Sequence, residues 1–355
     1  MKKVAVFSKF GRLGASSRQR FYLYENFFNN HGITLEYFPL IDDRALQARY
    51  SKGKYSLITL LVNYIKRMIL VLRLKKTHSF WIQSELFPFL PSFFELFFLR
   101  KTKFVIDMDD AIFHNYDLNK SPIIRILLSK KIDLNIATAN HVVCGSPYLY
   151  ERALQNRCSD ISLIPTCIDI DKYQESEFIY NKVKPVIGWI GSPTTARYLN
   201  IIEPALIRLN NLIPFDLHVV GGRFKSKMLS VKNLAWSEDK ELSLIRNFDI
   251  GVMPLEDSQW EEGKCGYKII QYMGCGIPYV CSNVGVNNSL VKNSNAGFLA
   301  INEEEWIASM KDLLSNHKLR MQMGHNGVNA VRDLYSFQSQ HEAYAEIFSK
   351  LELAR

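Results

Sequence analysis

Two doubly wound α/β domains in tandem are what this sequence predicts, on three observations. Short apolar runs recur through both halves, each followed by a stretch long enough for a crossover helix. A polar stretch, 171–184, separates the two series. The 355 residues, at about 150 per domain, give each half enough chain for its own core.

The first series places strands at 4–7, 33–38, 79–83, 103–108 and 141–146 in a mostly parallel sheet, with 18–30 and 121–137 among the helical crossovers. The opening run VAVF follows a basic start but stops at Ser8. It is too short for a signal peptide and reads as a buried strand. The second series places strands at 185–191, 215–222, 233–236, 249–255 and 278–285. Asn302 with Glu305 has the spacing of a capping box and predicts a helix start. The stretch 336–351 predicts one amphipathic closing helix. Domains are therefore expected at 1–172 and 185–335, joined by a linker at 173–184, with 336–355 returning as a helix toward the first domain. Ligands of such sheets bind at the carboxyl ends of the strands, so the two domains are expected to face a central cleft.

With 47% hydrophobic and 22% charged residues and a mean hydropathy of −0.08, the composition is globular. It excludes a disordered chain, a collagen-like chain and a polytopic membrane protein. The six cysteines, Cys144, Cys158, Cys167, Cys265, Cys275 and Cys281, show no CxxC spacing. That fits a reducing cytoplasm better than a disulfide scaffold or a zinc knuckle. Charge is uneven. Residues 1–170 hold 24 Lys and Arg against 14 Asp and Glu, while the remainder holds 20 against 21. The excess of ten on one half predicts an anionic partner there, whether lipid, phosphate-bearing substrate or nucleic acid.

The segment 57–74 is strongly apolar yet carries Asn63, Lys66, Arg67 and Arg73, which read as one polar, basic side of a helix. Central charges make a membrane-spanning helix costly. Two readings remain: an interfacial helix lying on anionic lipid, or a crossover helix packed on the sheet with a solvated basic face. The aromatic stretch 86–99 is expected to be mostly core, with an exposed minority.

The chemistry-bearing signal is 261–285, EEGKCGYKIIQYMGCGIPYVCSNVG. A glycine-containing turn opens a helix here, and the backbone N–H groups of a helix start form an anion site to which Lys264 and Lys268 add charge. Lys268 and Gln271 share a helix face, suiting a phosphate and a ribose hydroxyl. A plain turn with two surface lysines has the same spacing. The acidic cluster Asp107, Asp109 and Asp110 ends a strand, and three adjacent carboxylates repel. It reads as a helix-capping turn, a metal site or a catalytic group.

The stretch 261–285 resembles the donor-binding segment of the family 4 retaining glycosyltransferases of the GT-B fold, whose pattern is a Glu, seven residues, a second Glu, then Ala-Met-Ala-x-Gly-x-Pro. Anchored on Met273 and Gly276-Ile277-Pro278, the second Glu position falls on Gln271 and the first on Gly263, with Glu262 one position early. The resemblance implies a ribose contact for Gln271 and a donor-sugar contact for Glu262, Cys265 or Gly266. FGRLGASSR (10–18) resembles the family's N-terminal glycine loop, with Gly14 near donor and acceptor and Arg18 or Arg20 toward a phosphate. Ile164-Pro165-Thr166-Cys167-Ile168-Asp169 is similar to the family's Ile-Pro-Asn-Gly-Val-Asp at the domain junction. GWIGSPTTARYL (188–199) matches the first strand and helix of the nucleotide-binding half, with Ser192 at the family's Arg position and Arg197 nearest its Lys. Asp109 falls where many members carry a His near the donor sugar.

The resemblance implies a metal-independent, retaining transferase that needs no cofactor beyond its co-substrate, a UDP- or GDP-linked sugar. Its acceptor would be a glycan or a polyprenol-diphosphate saccharide, in lipopolysaccharide, capsule or other polysaccharide synthesis. It would sit peripherally on the inner face of the cell membrane. Asp109 is the expected catalytic residue. Ser192, Arg197, Lys264, Gly266 and Lys268 are expected on the donor diphosphate. Two competing readings are a nucleotide-sugar epimerase of the same fold and a non-catalytic nucleic-acid binder. For the second, no RNA-recognition, zinc-finger or helix-turn-helix signature is present.

Overall fold

The computed structural model describes residues 2–52, 55–158, 160–173 and 184–351. The expected linker at 173–184 lies almost wholly outside the described residues. The chain divides into two compact units. The first is Met1–Thr166 with Gly263–Cys265 and Gln340–Arg355, and the second is Cys167–Glu262 with Gly266–Ser339.

The first unit is built on six strands, β1 (Lys2–Phe7), β2 (Ile33–Tyr37), β3 (Ser79–Gln83), β4 (Phe104–Met108), β5 (His141–Cys144) and β6 (Ile161–Leu163). Their order is β2-β1-β3-β4-β5-β6, and every pairing is parallel. The near-continuous apolar sequences follow from that topology, because helices cover both faces of a parallel sheet. One face carries Phe7, Phe80, Ile82, Ile106 and Cys144 into an aliphatic and aromatic core. The other carries Trp81, packed edge-on against Phe21 at 4.8 Å and, tilted, against Phe348 of the closing helix Phe337–Lys350 at 5.0 Å. The expected helix 18–30 is broken into Ala15–Arg20, a short 3-10 turn and Glu25–Asn30. The expected helix 121–137 is likewise divided into Pro122–Leu128 and Lys131–Thr138.

In the second unit the strands are β7 (Val186–Ile190), β8 (Asp216–Val220), β9 (Val231–Leu234), β10 (Ile250–Met253), β11 (Tyr279–Ser282) and β12 (Gly297–Ala300). Their order is β12-β11-β10-β7-β8-β9, again all parallel. A hydrophobic cluster fills each face, one around Tyr272, Met273 and Tyr279 and the other around Trp189, Leu206 and Met310. The capping box at Asn302 is present. Asn302 Oδ1 accepts from Glu305 N at 3.0 Å, and Glu305 reaches back to Ile301 N at 2.8 Å.

In helix Leu57–Leu74 the polar residues do not share one solvated side. Arg67 is 3% exposed and donates to the carbonyls of Ser8, Phe38 and Leu86, and Asn63 donates to that of Leu40. The residues read as one basic side are thus divided: Arg67 and Asn63 point in, Lys66 and Arg73 point out, and the outer face is mainly leucine, isoleucine and valine. Burial lowers the Arg67 guanidinium to about 9, and three carbonyl partners are what hold it there. Among the described residues no helix is long and apolar enough to cross a membrane.

Candidate active site

Both sheets reverse their winding at one point, and in such sheets the crevice outside the carboxyl ends of the strands at that point is the ligand position. In the first unit the reversal lies between β1 and β3, and β1 runs into the loop 8–14. In the second it lies between β7 and β10, and β7 runs into the loop 191–195. The candidate residues from sequence gather at these two places.

The first-unit loop is pinned from below. Leu13 N donates to Asp43 Oδ1 at 2.9 Å, and Gly11 lies so near that a Cβ there would meet the same oxygen at 2.6 Å and displace the Asp43 side chain. Gly14 begins the helix Ala15–Arg20. Arg18 is buried and turns back onto the loop, its Nη1 donating to Arg12 O and Leu13 O at 3.2 Å each. Arg20 is buried against Asp107. Arg18 therefore braces the loop from within, while Arg20 ties its helix to β4 and to the carbonyls of Ile164 and Pro165.

The three carboxylates have three different environments. Asp107, on β4, is fully buried and accepts from Arg20 Nε at 2.7 Å, Trp81 Nε1 at 3.2 Å and Tyr344 OH at 2.9 Å. Asp110 accepts from Lys264 Nζ at 2.9 Å. Asp109 stands between them, just past the carboxyl end of β4, with a side-chain hydrogen bond from Ser16 of the glycine loop. Burial, and next the charge of Asp110, push its carboxyl up to about 6, with Ser16 and Arg20 opposing. Cys265 is buried beside it, its Sγ donating to Asp109 O at 3.0 Å, and burial holds that thiol well above its ordinary value. Asp109, Lys264, Cys265 and the loop of Gly14 are thus brought together. Ser16 is the member that sequence reasoning missed, and its place in the run GASSR was the available signal.

In the second unit, Ser192 Oγ bonds Thr194 Oγ1 at 2.9 Å and Thr195 Oγ1 at 3.2 Å. Lys268 passes over the same loop, since a Cβ on Gly191 would lie 2.9 Å from its Cε, and its ammonium is 5.6 Å from the Trp189 ring centroid. Lys268 belongs to the first turn of helix Tyr267–Gly274, which Gly266 opens at φ +66°, the left-handed region where glycine is at ease. Ser192, Gly266 and Lys268 therefore belong to one locality, with a helix N-terminus and an ammonium beside a hydroxyl loop. Arg197 is exposed and lies 5.1 Å over the Tyr198 ring, while Tyr198 OH donates to Glu261, which also accepts from Ser258. Glu262 is half-buried at the end of the short helix Gln259–Glu262. Gln271 stands apart. It is 2% exposed, and its Nε2 donates to Glu241 at 2.8 Å, an acid also held by Trp236 at 2.6 Å. Its inward position engages the side chain that the resemblance sent to a ribose.

Residues 184–316 match the sequence family described as Glycosyl transferases group 1. The whole chain is similar in structure to sucrose-phosphate synthase (tll1590) from Thermosynechococcus elongatus, with a TM-score of 0.71 at 12% identity over 99% of both chains. The fold is GT-B. A second GT-B structure, Anabaena Alr3699/HepE in complex with UDP-glucose, aligns at 0.70 and 15% identity over 99% of this chain and 100% of its own. A third, WaaG, a glycosyltransferase involved in lipopolysaccharide biosynthesis, aligns at 0.68 and 13% over 98% and 100%. The family match runs from just before β7 to just past the helix Glu303–Ser315 and so contains Ser192, Arg197, Gly266, Lys268 and Gln271. Asp109 and the glycine loop lie outside it.

Proposed function

We propose that this GT-B protein transfers a sugar from a UDP- or GDP-linked donor, with retention, to a glycan or lipid-linked saccharide at an anionic membrane surface, in lipopolysaccharide, capsule or related polysaccharide synthesis. The observation that carries the reading is the gathering of Ser192, the Gly266 helix start and Lys268 at the switch point of the matched unit. The HepE complex with UDP-glucose and the role printed for WaaG support the donor class and the setting. The basic excess of residues 1–170 suits a diphosphate-bearing acceptor.

In this reading the second unit holds the donor diphosphate through helix N–H groups, the Ser192 hydroxyl and the charges of Lys268 and Arg197, which also neutralise the leaving phosphate. The departing diphosphate assists a displacement on the same face of the sugar, so no enzyme nucleophile is needed. Asp109 orients the acceptor hydroxyl, held toward the glycine loop by Ser16. The reading carries no metal, because Asp107 and Asp110 are already paired with Arg20 and Lys264. The purified protein should be screened against nucleotide sugars for hydrolysis and transfer, with the melting temperature followed in UDP, GDP and oligonucleotide. Stabilisation by one nucleotide and anomer-retaining transfer support the reading. Epimerised donor without transfer, or stabilisation by oligonucleotide alone, overturns it.

A further inference from the structure

Three helices of the first unit turn their apolar sides to solvent. On Leu57–Leu74 the series Leu57, Leu61, Ile65, Ile69 and Leu72 is exposed along the whole helix, Leu57 at 81%. Arg67 of the same helix is fully buried, the reverse of a crossover helix whose polar face meets water. Helix Ser92–Leu99 shows Phe93 and Phe97, one turn apart, with Phe93 at 74%. Helix Pro122–Leu128 shows Ile123, Ile126 and Leu127, with Ile126 at 81%.

The loop 84–91 joins these faces. Tyr64 of the first helix donates to Pro88 O at 2.7 Å, and Phe89 N donates to Tyr116 OH at 3.0 Å, just ahead of the third helix. Phe89 is exposed and stands at φ +60°, which bulky residues rarely adopt. A buried network fixes it there: Tyr116 donates to Glu85, and Lys131 pairs with Glu85 and, at 3.0 Å, with Glu95. Charge on the face has one sign. Its carboxylates, Glu85, Glu95 and Asp117, are all in ion pairs, whereas Lys66, Arg73, Arg100, Lys120 and Arg125 are exposed.

We propose that this face docks on an anionic bilayer, with the leucine, isoleucine and phenylalanine side chains entering the acyl boundary and the lysines and arginines lying at the level of the lipid phosphates. The inference rests on the membrane-surface part of the proposed function. It adds the three-helix face and makes apolar insertion, rather than charge, the main attraction. A second copy of the chain fits less well, since a two-fold contact through this patch would set a cationic rim against itself.

The test is flotation with phosphatidylethanolamine–phosphatidylglycerol vesicles at 0.1 and 1 M NaCl. Screening reaches the cationic rim but not inserted side chains, so binding should fall less than tenfold between the two salts. The double variant Phe97→Asp, Ile126→Asp should lose at least a hundredfold in partition while keeping the wild-type melting temperature. Ile126→Trp should be quenched by lipids brominated on their acyl chains. Complete release at 1 M NaCl, unchanged flotation of the double variant, or an unquenched Trp overturns the proposal. So does light scattering that finds a dimer broken by Ile126→Asp with vesicle binding intact. A protein that floats but is not stabilised by any nucleotide would sink the transferase reading and leave the docking face standing.

Discussion

Arg20 Nε lies 2.7 Å from Asp107 Oδ1, with both side chains 1% exposed, and this pair separates one carboxylate of the acidic cluster from the chemistry. Nη1 of the same guanidinium reaches Ile164 O and Pro165 O, so the contact ties the first helix to β4 and to the end of the unit's sheet. Removing one partner strands the other as a buried charge. Arg20→Met is therefore expected to cost about 3–5 kcal/mol of stability, read as a large fall in melting temperature. Asp107→Asn, which keeps an acceptor, should cost less. A melting temperature within a degree of wild type in Arg20→Met would contradict the buried pair.

Lys268 and Lys264 are distinguishable by what already holds them. Lys264 neutralises Asp110 at 2.9 Å, and the Lys268 stem passes over Gly191, next to Ser192. Lys268→Ala is expected to weaken nucleoside diphosphate binding by roughly 1–3 kcal/mol, the scale of one charge-assisted hydrogen bond. Lys264→Ala should move affinity less, and stability by about 1 kcal/mol at most, because that pair is partly solvated. Calorimetric titration of both variants checks the order. Equal affinities for Lys268→Ala and wild type remove the phosphate role.

Gln271 makes the opposite kind of prediction. Buried and bonded to Glu241, with a second bond to Tyr173, it holds an acid inside the second unit. Gln271→Leu should lower stability by about 1–3 kcal/mol, since Glu241 loses a donor that water cannot replace. Nucleotide affinity in the folded variant should stay within a few-fold. An unchanged melting temperature with a tenfold weaker nucleotide would restore Gln271 to the ribose.

What the sequence made legible, and what it hid, follows from the range of the contacts concerned. The parallel strands were readable because both their faces are buried and their residues are apolar without alternation. The edge strand β6, with three residues, none of them fully buried, carries too little for such a run to stand out. Helical spacing shows which residues of Leu57–Leu74 share a face, but not which face turns inward. That choice is made by the carbonyls of Ser8, Phe38 and Leu86, on other elements of the same unit. The Asp cluster was visible as an anomaly of charge. Its division into a buried ion pair, an ion pair with Lys264 and a carboxyl facing Ser16 depends on partners far along the chain.

Asp109 carries the prediction closest to the chemistry. Burial and the neighbouring Asp110 raise its carboxyl to about 6, so the carboxylate predominates only above that pH. If it orients the acceptor hydroxyl as an anion, kcat/KM should rise through a limb near pH 6 and level off above it. Asp109→Asn keeps the shape and the bond from Ser16 but removes the charge. Turnover should fall by ~10²-fold or more and the limb should disappear, while donor affinity stays within a few-fold. Stability should move the other way. A carboxyl raised in the folded state contributes stability that is fully present below its unfolded value near 4 and is lost as pH climbs through about 6. At pH 8 the wild type bears that loss and Asp109→Asn does not, so the variant should melt higher there, with the difference shrinking toward pH 4. A variant that melts higher at pH 8 yet turns over at the wild-type rate would leave Asp109 a strained residue without a catalytic part.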